Sequence, residues 1–185
     1  MKQGLKNKPM KKLKTILALT LFSLSATAFS QSHTVDIKNS TLKWTGKKVA
    51  GTHYGEIQLK EGSLDLKGKN ILGGSFVIDM NTMTNTDLDS EEWQQKLVDH
   101  LMSEDFFGVK MHPLAKLVIT KAERIEKNKY NIEADLTIKD ITKPIKFTAI
   151  KEDDTYSATI TVDRTDYGIR YGSGKFFDKL GDNMI

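Results

Sequence analysis

The sequence predicts an all-β fold with one helical insert, built from antiparallel strands, and three observations lead to it. Apolar and polar residues alternate over most of the chain from Thr34 onwards, which is typical of strands that bury one face. Short turn-forming segments separate these strands, which favours a sandwich or a barrel. Only the segment Asp89 to Met102 has apolar residues at helical spacing. With 185 residues, the chain is long enough for one domain with a substantial core.

The alternation defines the candidate strands. They span residues 34–48, 53–67, 70–80, 115–126, 129–139, 144–151 and 155–163. In the first, Asn39-Ser40 indicates either an irregularity in one long strand or a tight turn. The second changes parity at Gly62, which predicts a bulge or kink there. Turns are predicted at Glu126 to Lys129, at Asp140 to Pro144 and at Glu152 to Asp154.

The predicted helix carries an apolar stripe. Trp93, Leu97 and Leu101 recur every four residues, so we expect this face of the helix to lie against the sheet. Asp89 is the expected N-cap, with Glu92 three residues later as its reciprocal partner.

The segment after the helix completes the insert. Ser103 is expected to cap a second short turn that presents Phe106 and Phe107. Because a single helix cannot cover the apolar faces of all the strands, we expect the sheet to close into a barrel. About eight strands leave room inside for side chains or one small ligand. The helix then fits best across an open end of the barrel.

Residues 1–30 are predicted to be a signal peptide, and residues 31–185 the folded domain. Six lysines precede an apolar run from Thr15 to Leu24, which is too short for a comfortable membrane span. Small residues favour cleavage after Ala28 or after Ser30. A retained N-terminal anchor helix is the alternative.

The basic charge of the chain belongs to this N-terminal segment. Removing its six lysines changes the formal net charge from +4 to −2, so no basic nucleic-acid-binding face is predicted on the domain. The chain has no cysteine, which excludes disulfides, thiol catalysis and a lipid-modified cysteine. No later apolar run is long enough to span a bilayer. We therefore expect a periplasmic or secreted protein.

The polar residues form no recognised catalytic motif. The four histidines are not at metal-ligand spacing, and no nucleophile elbow, phosphate loop or Ser-His-Asp order occurs. We therefore predict neither a metal site nor a cofactor. Arg164 lies between Asp163 and Asp166, which favours a structural ion pair. Its alternative role is to hold a polar or phosphorylated head group at the mouth of the barrel.

A set of ordered motifs resembles the YceI-like family. They are Trp44-Thr45-Gly46, His53-Tyr54-Gly55, and the segments Gly73 to Met80, His100 to Phe107, Leu136 to Thr142 and Asp163 to Ile169. The resemblance spans Thr34 to the end of the chain. It implies a bacterial, usually periplasmic protein with a lipocalin-like β-barrel of about eight strands. It also implies an apolar lumen that binds an isoprenoid quinone, a polyprenyl phosphate, a fatty amide or a related long-chain lipid.

The resemblance, together with the apolar pattern, sets the expected ligand contacts. The lumen and its lid would be lined by Trp44, Phe76, Ile78, Trp93, Leu97, Leu101, Phe106, Phe107, Tyr130, Ile132, Leu136, Phe147 and Ile160. The head-group candidates are His53, Arg164, Tyr167 and Tyr171. Family members carry a last strand after the glycine-rich segment 172–182, whereas this chain ends at Ile185. We therefore expect that strand to be missing.

Three functional hypotheses remain open at this point. The leading one is a non-enzymatic lipid-binding protein that sequesters or carries a long-chain lipid or isoprenoid quinone. The second is an enzyme that acts on a lipid or its head group, with Arg164 and His100 or His53 as polar participants. The third is an exported stress or partner-binding module whose lumen is filled by side chains. A homodimer stays open under each of them.

N-terminal sequencing of the protein from the periplasmic fraction tests the predicted signal peptide. We expect the mature chain to begin at Phe29 or at Gln31, because small residues precede both positions at the required spacing. An exported protein that still begins at Met1, or at the alternative start Met10, would instead favour the anchor helix.

Overall fold

The computed structural model describes residues 31–48 and 51–170, and within these ranges it contains one α-helix and eight β-strands. The strands are β1 (Gln31–Thr34), β2 (Leu42–Lys48), β3 (Gly51–Lys67), β4 (Asn70–Asp79), β5 (Leu114–Glu126), β6 (Lys129–Ile138), β7 (Ile141–Glu152) and β8 (Thr155–Ala158). The helix α1 spans Glu91–Met102, and 3₁₀ turns span Ile37–Asn39, Met80–Thr82 and Arg164–Tyr167. The prediction of an all-β fold with one helical insert is confirmed.

All the strand pairs are antiparallel, and the sheet curls into a half-barrel. The strands β1 and β2 pair in succession with the two halves of β3, the longest strand. From β3 the order continues through β4, β5, β6 and β7 to β8. Neighbouring strands in this part of the sheet are also consecutive in sequence. Short turns connect them except between β4 and β5, where residues 80–113 form the insert.

The predicted first strand, 34–48, is divided into β1 and β2 by a 3₁₀ turn. The Asp36 carboxylate accepts hydrogen bonds from the backbone N–H groups of Lys38 (3.1 Å) and Asn39 (3.3 Å). These bonds satisfy backbone donors that a strand partner would otherwise take. Of the two alternatives that Asn39-Ser40 left open, the turn is therefore correct.

The predicted bulge in β3 lies at Lys60 rather than at Gly62. Leu59 pairs with Ile78 and Glu61 pairs with Val77, so Lys60 is the extra residue that changes the parity. Gly62 has a different role. A Cβ atom there would lie 3.1 Å from the side chain of Val35, so glycine permits close packing at this position.

The turn between β6 and β7 is shorter than predicted. It consists of Lys139 and Asp140, which have φ values of 50° and 62°, and β7 begins directly afterwards. Pro144 therefore lies inside β7, paired with Asp135 of β6. Proline has no N–H to donate, and it is tolerated here because β8 pairs only with residues 149–152 of β7.

The final predicted strand, 155–163, is also shorter in the structure. β8 ends at Ala158, and Ile160 lies beyond it with 38% of its surface exposed. Ile160 is therefore not part of the strand, and its expected place in the lumen stays a prediction. The chain then forms the 3₁₀ turn Arg164–Tyr167, which ends at Gly168 with a φ of 73°. Residues 1–30, which are predicted to be a signal peptide, lie outside the described residues. So does the glycine-rich segment 172–182, which precedes the expected position of a last strand.

The core lies on the concave face of the half-barrel, and β6 shows how the alternating pattern builds it. Tyr130, Ile132 and Ala134 are each 1% exposed, and Leu136 is 6% exposed. The intervening polar residues face the other side of the sheet. The core continues into the insert through Leu101, Phe106 and Val109, and into the last described segment through Tyr167 and Ile169.

The helix α1 begins two residues later than predicted, and its buried face is rotated relative to the predicted apolar stripe. Its N-cap is Ser90, without a side-chain capping bond, so the predicted Asp89 cap is wrong. Val98 and Leu101 are its buried residues, whereas Trp93 is 60% exposed. Residues spaced by four drift by about 40° per step around a helix with 3.6 residues per turn. Trp93 therefore lies at the edge of the stripe that contains Leu101.

The segment after β4 crosses closely over β3 at Gly55. The indole N–H of Trp44 donates a hydrogen bond of 2.9 Å to the carbonyl oxygen of Thr84. A Cβ atom on Gly55 would lie 2.8 Å from the carbonyl carbon of Thr84 and 2.9 Å from the indole nitrogen. Only glycine leaves room for this crossing, which places the insert over one end of the sheet.

The variant Gly55→Ala should lower the free energy of unfolding by about 1–3 kcal/mol, because its methyl group must displace backbone atoms. Urea unfolding measures this change. Gly73→Ala is the matched control, since the nearest atom to its Cβ would be a carboxylate oxygen of Asp65 at 3.2 Å, which can move. Equal losses in the two variants would contradict a specific crossing at Gly55.

Candidate functional site

The concave face of the sheet carries a contiguous apolar surface, here called the trough. Its floor is the buried core cluster, and half-buried apolar side chains pack against this cluster around it. The sheet contributes Trp44, Phe76, Ile78, Ile145, Phe147 and Tyr156, and the insert contributes Leu97, Met102 and Phe107. Such side chains are accessible enough to touch a ligand and apolar enough to hold a hydrocarbon chain.

The structure divides the predicted lumen residues by their exposure. Leu101, Phe106, Tyr130, Ile132 and Leu136 are at most 9% exposed, so they form the wall behind the accessible surface. Trp44, Phe76, Ile78, Leu97, Phe107 and Phe147 are half-buried and lie at that surface. Trp93, at 60% exposed, does not pack on the sheet as expected, and its ring instead lies 4.5 Å from the Lys96 ammonium.

Several half-buried apolar residues were missing from the sequence-based set, including Met102 of the insert. Ile145, Tyr156 and Val162 pack against the core cluster and remain half-buried. Each follows the alternating pattern of its segment, so the signal was present in the sequence. The pattern predicts on which face of the sheet a residue lies, but it does not predict how much of its side chain is covered by neighbouring residues.

The end of the insert is fastened to the sheet around Phe106. The Phe106 and Phe107 rings make an edge-to-face contact with centroids 4.9 Å apart. The Lys139 ammonium, from the turn between β6 and β7, donates a hydrogen bond of 2.9 Å to the carbonyl oxygen of Phe106. His112 Nδ1 lies 2.9 Å from a carboxylate oxygen of Asp140 in the same turn, but the geometry makes no hydrogen bond. The Lys139 hydrogen bond and the packing of Phe106 hold the insert against the end of the trough. Ser103 does not cap a new turn as expected, because its hydroxyl donates to the carbonyl of His100.

The start of the insert is fastened by a second His-Asp pair. His53 Nδ1 lies 2.8 Å from Asp87, whose carboxylate also accepts hydrogen bonds from the Tyr54 backbone N–H (2.8 Å) and from the Asn85 amide. Burial by itself would raise the pKa of Asp87, but these hydrogen bonds outweigh it and lower the pKa. His53, a predicted head-group residue, therefore has a structural partner at the start of the insert.

Arg164 is held by contacts other than the expected acids. Its Nη1 donates a hydrogen bond of 2.9 Å to the carbonyl oxygen of Ile169, and its guanidinium lies 5.6 Å from the centre of the Phe106 ring. The Asp163 carboxylate caps the 3₁₀ turn by accepting from the backbone N–H and the hydroxyl of Thr165. The prediction of an ion pair between Arg164 and its flanking acids is therefore wrong.

The remaining head-group candidates are two tyrosines. Tyr167 is 2% exposed and belongs to the core cluster. Burial first, and the nearby Asp166 carboxylate second, raise the pKa of its hydroxyl. Tyr171 lies outside the described residues. The structure thus places Arg164 and Tyr167 in one 3₁₀ turn, with the Arg164 guanidinium over the Phe106 ring, whereas His53 contacts the other end of the insert.

Two clefts of similar volume differ in their linings. One, of about 390 Å³, has Ile37, Leu42, Ile57 and Leu59 among its apolar lining residues and reaches the core at Ile57. The other, of about 380 Å³, lies mainly among charged and polar residues of β5, β6 and β7. There Glu133 lies 3.4 Å from the ammonium of Lys121 and 3.5 Å from that of Lys146. Both clefts reach the apolar cluster, the first at Ile57 and the second at Ile132 and Phe147.

Over residues 31–48 and 51–170, no group of three or more His, Asp or Glu side chains is placed to hold a metal ion. Over the same ranges, no helix has the length and apolar character needed to cross a bilayer.

A sequence model described as the YceI-like domain matches residues 33–184. This chain belongs to the YceI-like family. The curved antiparallel sheet with one helix is the YceI-like, lipocalin-like fold that the resemblance implied.

Sequence relatives of this YceI-like chain occur in Pseudomonas putida. UPF0312 proteins of Pseudomonas putida strains W619 and GB-1 are 32% identical to it over 81 residues. These matches cover 38% of this chain and 42% of each relative, so the chain spans less than half the length of the relatives it matches.

Two solved structures resemble this YceI-like chain in fold. A polyisoprenoid-binding domain from Saccharophagus degradans has 16% identity and a TM-score of 0.53, covering 78% of this chain and 84% of that one. The Campylobacter jejuni YceI protein has 18% identity and a TM-score of 0.49, covering 96% and 92% of the two chains.

The variant Asp87→Asn should lower the free energy of unfolding near pH 7 by about 1–3 kcal/mol, because it removes a charged acceptor shared by several donors. The folded-state pKa of Asp87 lies below its ordinary value of about 3.9. Its contribution is therefore complete above pH 4 and is lost as the pH falls through the folded-state pKa. Unfolding by urea over a pH series should show the difference between variant and wild type shrinking below about pH 4.

The exposed residue Asp89 provides the control for this series. Asp89→Asn should leave stability within about 0.5 kcal/mol of wild type at every pH, as expected for an exposed surface position. A difference for Asp87→Asn that stays constant down to strongly acidic pH would rule out the ionised carboxylate as the source of the effect.

Proposed function

We propose that this protein binds a long-chain lipid, of the isoprenoid quinone or polyprenyl type, along its trough. The observation that carries the proposal is the ring of half-buried apolar side chains around the core cluster. Burial of each methylene or methyl group of a ligand gains about 0.8 kcal/mol, so a chain lying along this surface would be held tightly. The insert covers one end of the trough and shields the bound chain from water.

The dimensions of the sheet support a long ligand. The ten residues of β6 span about 33 Å at the usual rise per strand residue. The hydrocarbon core of a bilayer is about 30 Å thick and accommodates two lipid tails end to end. A trough that follows the strands is therefore longer than one ordinary acyl tail, which favours an extended isoprenoid chain.

Binding is favoured over catalysis by the partners of the polar residues. The enzyme hypothesis relied on Arg164 with His100 or His53. Arg164 contacts Ile169 and Phe106, His53 contacts Asp87, and the His100 ring makes an edge contact with the Phe106 ring. The similar domain from Saccharophagus degradans is described as polyisoprenoid-binding, which supports a ligand of the same chemical type here. The predicted signal peptide supports an exported protein that meets such lipids at the bacterial envelope.

A quinone-binding assay tests the proposal. The chain has two tryptophans, so Trp93→Phe leaves Trp44, at the trough, as the sole tryptophan reporter. We expect phylloquinone, a quinone with a branched isoprenoid tail, to quench Trp44 fluorescence in a saturable manner. A failure of the wild-type trough to bind phylloquinone or any other long-chain quinone would contradict the proposed function.

Within this assay, Phe107→Ala should weaken phylloquinone binding by about tenfold, or about 1.4 kcal/mol, because a half-buried ring leaves the ligand surface. Phe106→Ala should instead lower the free energy of unfolding by about 3–5 kcal/mol, because that ring is packed in the core. Met111→Ala removes an apolar side chain of the same insert that is 68% exposed, and it should change neither quantity. If Phe107→Ala binds phylloquinone as tightly as wild type, Phe107 has a purely structural role.

A further inference from the structure

Three tyrosines in the apolar cluster differ in the partners of their hydroxyl groups. The Tyr130 hydroxyl donates a hydrogen bond of 2.7 Å to the carbonyl oxygen of Lys69. The hydroxyl oxygens of Tyr156 and Tyr167 are buried and have no hydrogen-bond partner among the described residues. Most buried polar groups in folded proteins are hydrogen-bonded, so each exception calls for a specific explanation.

The two unpartnered hydroxyls belong to opposite ends of the trough. Tyr156 follows the turn between β7 and β8, and its ring centroid is 6.2 Å from that of Tyr130. Tyr167 belongs to the same 3₁₀ turn as Arg164, whose guanidinium lies over the Phe106 ring. Tyr167 therefore lies at the end that the insert covers.

Tyr167 is the more firmly placed of the two. It is 2% exposed and sits in the core cluster beside a turn capped by Asp163 and ended by Gly168. Tyr156 is half-buried and lies on β8, an edge strand of four residues. A hydrogen-bond donor that is already held in place loses less conformational entropy on binding than a mobile one. In an apolar setting it therefore discriminates better between ligands.

We propose that the Tyr167 hydroxyl donates a hydrogen bond to an uncharged carbonyl oxygen of the bound lipid, and so selects long-chain quinones and amides over hydrocarbons and polyprenyl phosphates. The inference rests on the proposed function, because the tail of the ligand must lie in the trough for its head group to reach Tyr167. The Tyr167 hydroxyl is buried in this structure, so the head group must displace the side chains that cover it. A site built to bond an acceptor oxygen discriminates against a ligand without one, since its own polar group is then left unpaired.

The surroundings of Tyr167 favour a neutral head group over a phosphate. The burial and the Asp166 carboxylate that raise the pKa of this hydroxyl also disfavour any other negative charge placed beside it. Arg164 and Arg170 are equally close in sequence, three residues to either side. The Nη1 of Arg164 already donates to Ile169 and its guanidinium lies over Phe106, and Arg170 is exposed. A carbonyl oxygen needs no counter-charge and is satisfied by one donated hydrogen bond.

The variant Tyr167→Phe tests the inference, because it removes only the hydroxyl oxygen. The probes are phylloquinone, phytane and phytyl phosphate, which carry the same type of branched tail with two carbonyls, no acceptor and an anionic acceptor respectively. Phylloquinone is titrated against Trp44 fluorescence, and the other two compete with it. We expect wild type to bind phylloquinone more tightly than phytyl phosphate.

The variant should weaken phylloquinone binding by about three- to tenfold, the range of one net hydrogen bond, and leave phytane binding unchanged. The midpoint of urea unfolding should stay the same or rise, because the Tyr167 hydroxyl has no hydrogen bond to lose among the residues that the structure describes.

Two matched variants keep the test specific. Tyr130→Phe loses the bond to Lys69, so it should lower the unfolding midpoint without changing the ratio of phylloquinone to phytane affinity. Tyr156→Phe should also leave that ratio unchanged.

An unchanged ratio in Tyr167→Phe, or a changed ratio in Tyr156→Phe alone, would overturn the inference while leaving lipid binding intact. Tighter wild-type binding of phytyl phosphate than of phylloquinone would overturn the choice of a neutral head group. Wild-type protein that binds none of the three probes would contradict the proposed function itself.

Discussion

The need to cover the apolar concave face of a curled sheet determines most of this structure. Alternation along β6 places Tyr130, Ile132 and Leu136 on that face, and the neighbouring strands extend it. Curling brings parts of the face together, and the residues between β4 and β5 cover one end. The burial of this surface is the main stabilising term, because its side chains gain about 1.5–3 kcal/mol each when fully buried.

The insert can act as a lid because both of its ends are tied to the sheet by specific contacts. His53 and Asp87 fasten its start, and Lys139 fastens its end at Phe106. Gly55 allows the chain to cross close enough for the first of these contacts to form. The result is a fixed cover whose inner surface is apolar, which suits retention of a lipid tail more than chemistry at its head group.

The fold was largely predictable from local sequence, whereas the site was predictable only in part. The period-two pattern identified the strands and the inward face of β6, because both depend on neighbouring residues alone. The exposure of Trp93 was not predicted because residues spaced by four drift around the helix. The first residue of such a series can therefore lie at the edge of the buried stripe. The partners of His53 and Arg164 were also missed, since they depend on contacts between segments that sequence spacing does not reveal. Residue type indicated a polar role for each, and the structure shows contacts through which each fastens neighbouring segments.

The central claim is that the trough holds a long apolar chain, and the co-purifying lipid tests it most directly. The full-length protein would be purified from the periplasm of a quinone-producing bacterium, extracted with organic solvent and analysed by mass spectrometry. A parallel extract of an unrelated periplasmic protein would identify background lipid. The account predicts a long-chain isoprenoid, recovered unchanged and near stoichiometric with protein. Repeated recovery of no lipid above background from folded protein would contradict it.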